Sequence, residues 1–236
     1  MKNKHSIMGI GAHPDDLEIA CGGTLALYAR QGHRITMCHV CNGDKGHFEL
    51  RPEELARIRL AEARSAAGMI GAGVIALGVP DGEAGVDYTG QRIKMVEAIR
   101  EAKPDIIITH APRDYHPDHV AVHRLVLDAS FLATVPHIET GQQALNRVPE
   151  IYFMDTYAGV NFVPTDYVDI TSTLEIKLAM MECHQSQVKW LKDHDSFDVL
   201  EFIRVSGRYR GFQCGCSYAE GFRKHLAALY LGPKRL

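Results

Sequence analysis

The sequence predicts a single α/β domain with a Rossmann-like fold, a mostly parallel sheet flanked by helices. Three observations carry this. Short runs rich in Ile, Val and Met, with little polar alternation, recur through the first two-thirds of the chain, which is how strands covered on both faces read. Segments of helical periodicity separate those runs, and strand–helix–strand alternation builds parallel sheets. The length of 236 residues suits one substantial core. No linker, repeat or low-complexity segment divides it, so residues 1–236 are treated as one domain.

The first four strands are expected at Ser6–Gly11, Arg34–Val40, Val74–Leu77 and Asp105–Thr109, with helices at Cys21–Gln31, Pro52–Ile70, Gln91–Ala102 and Pro117–Ala129. Pro52 suits a first helical turn, and Glu53 and Glu54 lie near the positive end of that helix dipole. Gly32 and Gly71 suit the stops. The last third is less regular. Glu150–Asp155 and Tyr167–Ile170 read as strands, Ser172–Cys183 as a helix continuing toward Trp190, and Tyr218–Leu229 as a final helix.

Bulk properties narrow the function. Hydrophobic residues make up 46% and charged residues 23%, the profile of a soluble globular protein. With 26 basic and 29 acidic residues the net charge is −3, and no basic tract stands out, which argues against nucleic acid as a partner. The polar start, Met1 to His5, is followed by an apolar run too short for a secretory signal or a membrane span. The six cysteines lie mostly in apolar runs. Cys38-x-x-Cys41 and Cys214-x-Cys216 therefore read as reduced core thiols rather than a zinc cage, and the protein as cytoplasmic. Gly9-Ile10-Gly11 follows a strand as a dinucleotide fingerprint would, but Pro14 fills the third glycine position. Asp15 and Asp16 would also repel a pyrophosphate.

Two segments carry chemistry: Ala12-His13-Pro14-Asp15-Asp16 and His116-Pro117-Asp118-His119. Taken singly, a His-Pro-Asp stretch is most often a turn with a capping aspartate. Both, however, follow expected strands of one parallel sheet, where loops build sites. A tight loop can point His13 and Asp16 at a common centre, and His119 can arrive from the fourth strand's loop. His-Asp-His coordination with one open position is a catalytic metal site with Zn as default occupant, although Fe(II), Co or Mn also suits such donors. Asp15 diverges from its neighbour and is free to act as general base. His116, with Asp118 nearby to hold it protonated, is placed to stabilise an oxyanion or protonate a leaving amine.

These motifs resemble the PIG-L/LmbE-like family of metal-dependent N-deacetylases. The resemblance continues through Leu17-Glu18, Gly22-Gly23-Thr24, Arg59-x-x-Glu62, Pro80-Asp81-Gly82, His184-Gln185-Ser186-Gln187 and Tyr218-Ala219-Glu220-Gly221-Phe222. It implies a Rossmann-like fold, a zinc-dependent removal of an N-acetyl group from a small glucosamine-type sugar, and a tendency to homo-oligomers. It assigns metal ligation to His13, Asp16 and His119, the base to Asp15, and the tetrahedral intermediate to His116 tuned by Asp118. Arg59, Gln187 and Tyr218 match substrate-pocket positions, although Arg59 could equally be a surface arginine paired with Glu62. The loop Asn42–His47 and the stretch Pro136–Val148 match no motif and read as specificity or lid segments. Two further readings stay open: a non-haem Fe(II) oxygenase, which also uses two histidines and a carboxylate, and a non-catalytic Rossmann-type sugar or nucleotide module.

Overall fold

The computed structural model describes residues 4–227. Residues 1–3, on which part of the N-terminal reading rests, lie outside that range. The strands are β1 (Ser6–Gly11), β2 (Arg34–Cys41), β3 (Gly73–Val79), β4 (Ile106–Thr109), β5 (Glu150–Met154), β6 (Asp166–Asp169) and β7 (Ala219–Lys224). They form one sheet in the order β3-β2-β1-β4-β5-β7-β6. The first five pair in parallel, and β7 runs antiparallel to both β5 and β6.

The helices are α1 (Asp16–Arg30), α2 (Pro52–Gly68), α3 (Thr89–Ala102), α4 (Pro117–Leu132), α5 (Leu174–Glu182), α6 (Gln185–Asp195) and α7 (Val199–Cys214), with a 3-10 turn at Tyr157–Gly159. Leu17 and Leu25 of α1, Ala66 and Ala67 of α2 and Met180 of α5 cover one face. Met95, Val96 and Ile99 of α3 and Val122, Leu125 and Val126 of α4 cover the other. The strand order reverses between β1 and β4, and the crevice beyond their carboxyl ends is where open α/β sheets build sites. Ile10 of β1 pairs with Thr109 of β4, so both histidine motifs leave the sheet side by side.

The fold class and the first four strand–helix units match the sequence reading, with α1 starting at Asp16 instead of Cys21. The C-terminal third departs from it. The expected final helix at Tyr218–Leu229 is strand β7 over Ala219–Lys224, and residues 228–229 lie outside the described range. Alternation decides this. The Glu220 carboxylate turns inward to Lys177 Nζ and accepts the N–H groups of Gly23 (2.9 Å) and Thr24 (2.7 Å), while Phe222 packs in the core cluster with α1 and α2. Helix α7 has no counterpart in the sequence reading, because Gly207 and Gly211 blunt its helical signal. Both glycines face the returning chain, and a Cβ at Gly211 would lie 2.7 Å from the carbonyls of Cys216 and Ser217. The helix expected to run from Ser172 toward Trp190 breaks into α5 and α6 at Cys183–His184.

Two smaller expectations also change. Cys21, Cys38 and Cys41 are buried free thiols, but Cys214 is exposed and Cys216 half-buried, so that pair is not part of the core. The stretch Pro136–Val148 is not a lid. Arg100 of α3, 2% exposed, reaches from the core to donate to the carbonyls of Leu132, Ala133, Val135, Ile138 and Gln142 and to Thr140 Oγ1. A guanidinium fork suits this task and an ammonium does not. Arg100→Ala should lower stability by about 2–4 kcal/mol, since several buried acceptors lose their donor at once. Arg100→Lys should recover only part of it. Urea midpoints with an unchanged m-value check this, and an unaltered midpoint in the alanine variant contradicts it.

Candidate metal and catalytic site

The loop after β1 turns straight into α1. Asp15 occupies the N-cap position at φ 124, a left-handed backbone that a non-glycine residue holds only at a cost of roughly 1–3 kcal/mol. The strain sends Asp15 and Asp16 in different directions. Asp16 turns into the crevice, where its Oδ1 lies 3.2 Å from His119 Nε2 and its Oδ2 3.5 Å from His13 Nδ1. Asp16 therefore meets both imidazoles expected to hold a metal. The donor groups whose atoms all lie within 4.8 Å of one another include His13 with His116 and His119, and Asp16 with His110 and His119.

The other nitrogen of each imidazole is held by a carboxylate. His119 Nδ1 lies 3.0 Å from Asp114 Oδ2, and His13 Nε2 lies 3.2 Å from Asp118 Oδ2. Such partners fix the tautomer and present the remaining nitrogen as a ligand. Asp118 is itself steadied by the N–H of Gly82 (2.8 Å). This corrects the expected role of Asp118: its carboxylate grips His13, and only its backbone N–H meets His116, donating to Nδ1 at 3.2 Å. The surroundings also disfavour the expected protonated His116. Burial and the neighbouring rings of His13 and His119 lower its pKa. With Nδ1 accepting, a neutral His116 carries its proton on Nε2.

The donor set fits a divalent cation. Burial alone would keep the rings of His13 and His119 neutral. Asp118 and Asp16 outweigh it and push His13 up to about 10, and Asp16 and Asp114 push His119 up to about 9. The Asp16 carboxylate, despite its burial, is held well below the usual carboxylate range by His119 and His110. Protons thus stand on ligand nitrogens amid acidic groups, and a cation would take their place.

Asp15 lies outside this ligand ring. Its Oδ2 meets Arg59 at 3.0 Å, and burial, partly offset by Arg59, raises its pKa to about 6. Arg59 is neither a surface residue nor paired with Glu62. It is buried and also donates to the carbonyls of Pro14 (2.6 Å) and Gly43 (3.3 Å), so it positions Asp15 and leaves little of itself for substrate. Glu62 instead takes the N–H (2.8 Å) and hydroxyl (2.6 Å) of Ser186, docking α6 on α2. Gln187 donates to the Gly46 carbonyl at 3.3 Å. A Cβ at Gly43 would lie 2.6 Å from Arg59, which is why the Asn42–His47 loop can close over the guanidinium. Tyr218 stands apart from the imidazoles, packed with Ile170, Leu174 and Ile203, so the expected substrate contact through it is not supported.

Sequence reasoning missed Asp114 and His110 here, and gave Glu18 and His184 only as motif positions without a role. Asp114 holds His119. His110, at the end of β4, stacks on His119 with ring centroids 4.0 Å apart and accepts the Ala12 N–H at 2.9 Å. His184 and Glu18 lie 3.1 Å apart with no exposure, behind Asp15. Position just past a strand end was the available signal for His110 and Asp114. The motifs carry Glu18 and His184 separately, and nothing local shows that they pair.

Comparison with known proteins points to one family. Residues 8–130 match the profile of the PIG-L family, described as GlcNAc-PI de-N-acetylase. Diacetylchitobiose deacetylase of Thermococcus kodakarensis is 30% identical, over 92% of this chain and 82% of the relative. The structure of N,N'-diacetylchitobiose deacetylase from Pyrococcus horikoshii superposes with a TM-score of 0.80 at 26% identity, covering 95% of this chain and 85% of that one. The 4-oxalmesaconate hydratase of Pseudomonas putida is 24% identical over 77% of this chain and 74% of its own length.

Asp114→Asn and Asp118→Asn should each weaken divalent-cation affinity about 10- to 100-fold, while leaving the far-UV CD spectrum intact. Because bound protons must leave His13 and His119, affinity should fall steadily as pH drops from about 10 toward neutrality. Competition titration against a chromogenic chelator measures both effects. Wild-type affinity in both asparagine variants would remove the two carboxylates from the site.

Proposed function

The chain belongs to the PIG-L (GlcNAc-PI de-N-acetylase) family, and from that premise we propose that it is a zinc-dependent hydrolase of the N-acetyl group on a small glucosamine-type sugar or its conjugate. The observation that carries the reading is Asp15: a buried carboxylate beside the ligand ring, turned away from it and held by Arg59. A carboxylate with a pKa of about 6 is matched to proton transfer near neutral pH. A ligand-only or sensing site has no use for it.

Zinc is proposed on the donor set, two imidazoles and one carboxylate, with Fe(II), Co or Mn as chemically permitted substitutes. When bound among His13, Asp16 and His119, the cation would polarise the amide carbonyl and acidify water. The protein's own groups do the rest. Asp15 accepts a proton from the attacking water. His116 Nε2–H donates a hydrogen bond to the carbonyl oxygen as negative charge develops there. The proton held by Asp15 then passes to the departing amine, and acetate and the free amino sugar result. Asp114 and Asp118 keep the two ligand rings in register throughout. Arg59 holds Asp15 in its strained conformation and restrains the rise in its pKa.

A second reading rests on the hydratase relative. The same base and cation could add water to a carbon–carbon double bond, so the assay must distinguish the two. Against the oxygenase reading stand the mostly parallel α/β sheet and the deacetylase relatives.

Asp15→Asn should retain the metal yet lower kcat by about 10²–10⁴-fold, the range of a lost general base. In the wild type kcat/KM should decline as pH falls through about 6, because protonated Asp15 cannot accept a proton. Acetate and free amine are quantified with N-acetylglucosamine and N,N'-diacetylchitobiose. A near-wild-type rate for the asparagine variant sinks the role of Asp15. Turnover of an unsaturated oxo acid without any amide cleavage would favour the hydratase.

A further inference from the structure

Beyond Asp16 and His119, a cavity of about 340 Å³ opens between α1, α7 and the turn after β5. Asp16 and His119 form part of its wall, while His13, Asp15 and Arg59 take no part in it. Its apolar wall is formed by Ile19 and Ala20 of α1, Met154 of β5 and Phe202 and Val205 of α7. Its charged groups are spent within the protein. Lys177 pairs with Glu220, whose carboxylate also holds two α1 amides, and Arg210 pairs with Asp155 and Gln213. Asp155 Oδ1 is the one buried side-chain oxygen of that lining without a partner. The hydroxyls of Tyr157, Ser206 and Tyr209 also line the cavity, but no charged side chain in it is free to take a pyranose's several hydroxyls, and the wall of Ile19, Ala20, Met154 and Phe202 is apolar. The other flank of the site, around Arg59, Gln187 and the Asn42–His47 loop, is polar instead of apolar, although Arg59 and Gln187 are themselves bonded within the protein.

We propose that this cavity receives the acyl chain of the scissile amide, so that the enzyme accepts N-acyl amino sugars with unbranched chains longer than acetyl. The proposal rests on the amide-hydrolase reading above and names the substrate class of the same site. An acetyl methyl uses little of the volume, which falls in the range of cavities that enclose sizeable ligands, about 300–1,000 Å³. The two flanks differ in polarity and therefore orient the amide: sugar toward the Asn42–His47 loop, chain toward α7. The bond chemistry does not change. The C–N bond breaks, a C–O bond to the water oxygen forms, one water proton ends on the amine, and the chain leaves as its carboxylic acid. Each methylene transferred from water to this wall should raise kcat/KM up to about fourfold while the cavity still has room.

The test uses the metal-loaded enzyme with N-acetyl-, N-butyryl-, N-hexanoyl- and N-octanoylglucosamine, following free amine. The expected result is a kcat/KM for the hexanoyl substrate at least tenfold above that for acetyl. Val205, 57% exposed, lines the cavity from α7. Val205→Trp should cut hexanoyl and octanoyl turnover at least tenfold and leave acetyl turnover unchanged, and Ser206→Phe is a second blocking variant should the first not fold. A kcat/KM that falls steadily from acetyl upward, or blocking variants that slow every chain length equally, overturns the acyl cavity and leaves the deacetylase reading standing. No amine from any substrate overturns both.

Discussion

The shared carboxylate of Asp16 is the contact on which the site depends. It reaches His119 through one oxygen and His13 through the other, across the gap where the strand order reverses between β1 and β4. In a low-dielectric crevice, a carboxylate between two imidazoles is costly unless protons or a cation complete it. The fold provides that completion on every side. Asp114 and Asp118 back the two rings, and His110 fills the space behind them. A parallel sheet with a switch point is therefore more than a scaffold here. It is the arrangement that lets residues 103 positions apart face one another with both strands still fully hydrogen-bonded.

Strain and charge are used locally. The left-handed backbone at Asp15 parts two adjacent carboxylates, one into the ligand ring and one against Arg59. Arg59 is in turn enclosed by glycines of the Asn42–His47 loop, where any side chain at Gly43 would collide with it. Burial lifts the pKa of Asp15 and the guanidinium moderates the rise, so the carboxylate neither stays protonated at neutral pH nor becomes too weak a base. Several motif residues outside the ring have architectural work. Glu62 and Ser186 join α2 to α6, and Glu220 ties β7 to α1 at Gly23, where a Cβ would lie 2.9 Å from Ile170.

Much of the fold could be read along the chain because parallel, doubly covered strands leave an uninterrupted apolar signature, as in Ile7–Ile10 and Ile106–Ile108. The end of the chain could not. Gly207 and Gly211 hide α7 from any propensity argument, and their reason lies in the carbonyls of Cys216 and Ser217 pressed against them. Strand β7 carries an inward-facing glutamate whose partner, Lys177, lies 43 residues away. Sequence pattern registers neither fact. The segment Pro136–Val148 looked free for the same reason, since the arginine that fixes it sits on α3, 36 residues before Pro136, with β4 and α4 in between.

Residue chemistry alone pointed to His13, Asp16 and His119 as donors to bring together, because both His-Pro-Asp segments follow strands of one parallel sheet. It also singled out Asp15, since adjacent side chains diverge. Tertiary structure decided everything that depends on what stands behind a side chain: that Asp118 serves His13 and not His116, that Asp114 serves His119, that Arg59 is buried against Asp15, and that Tyr218 lies elsewhere. The physical reason is common to all four. Which nitrogen an imidazole offers, and how far a carboxylate's pKa moves, are set by neighbours a few ångströms away in space, and distance along the chain carries almost no information about them.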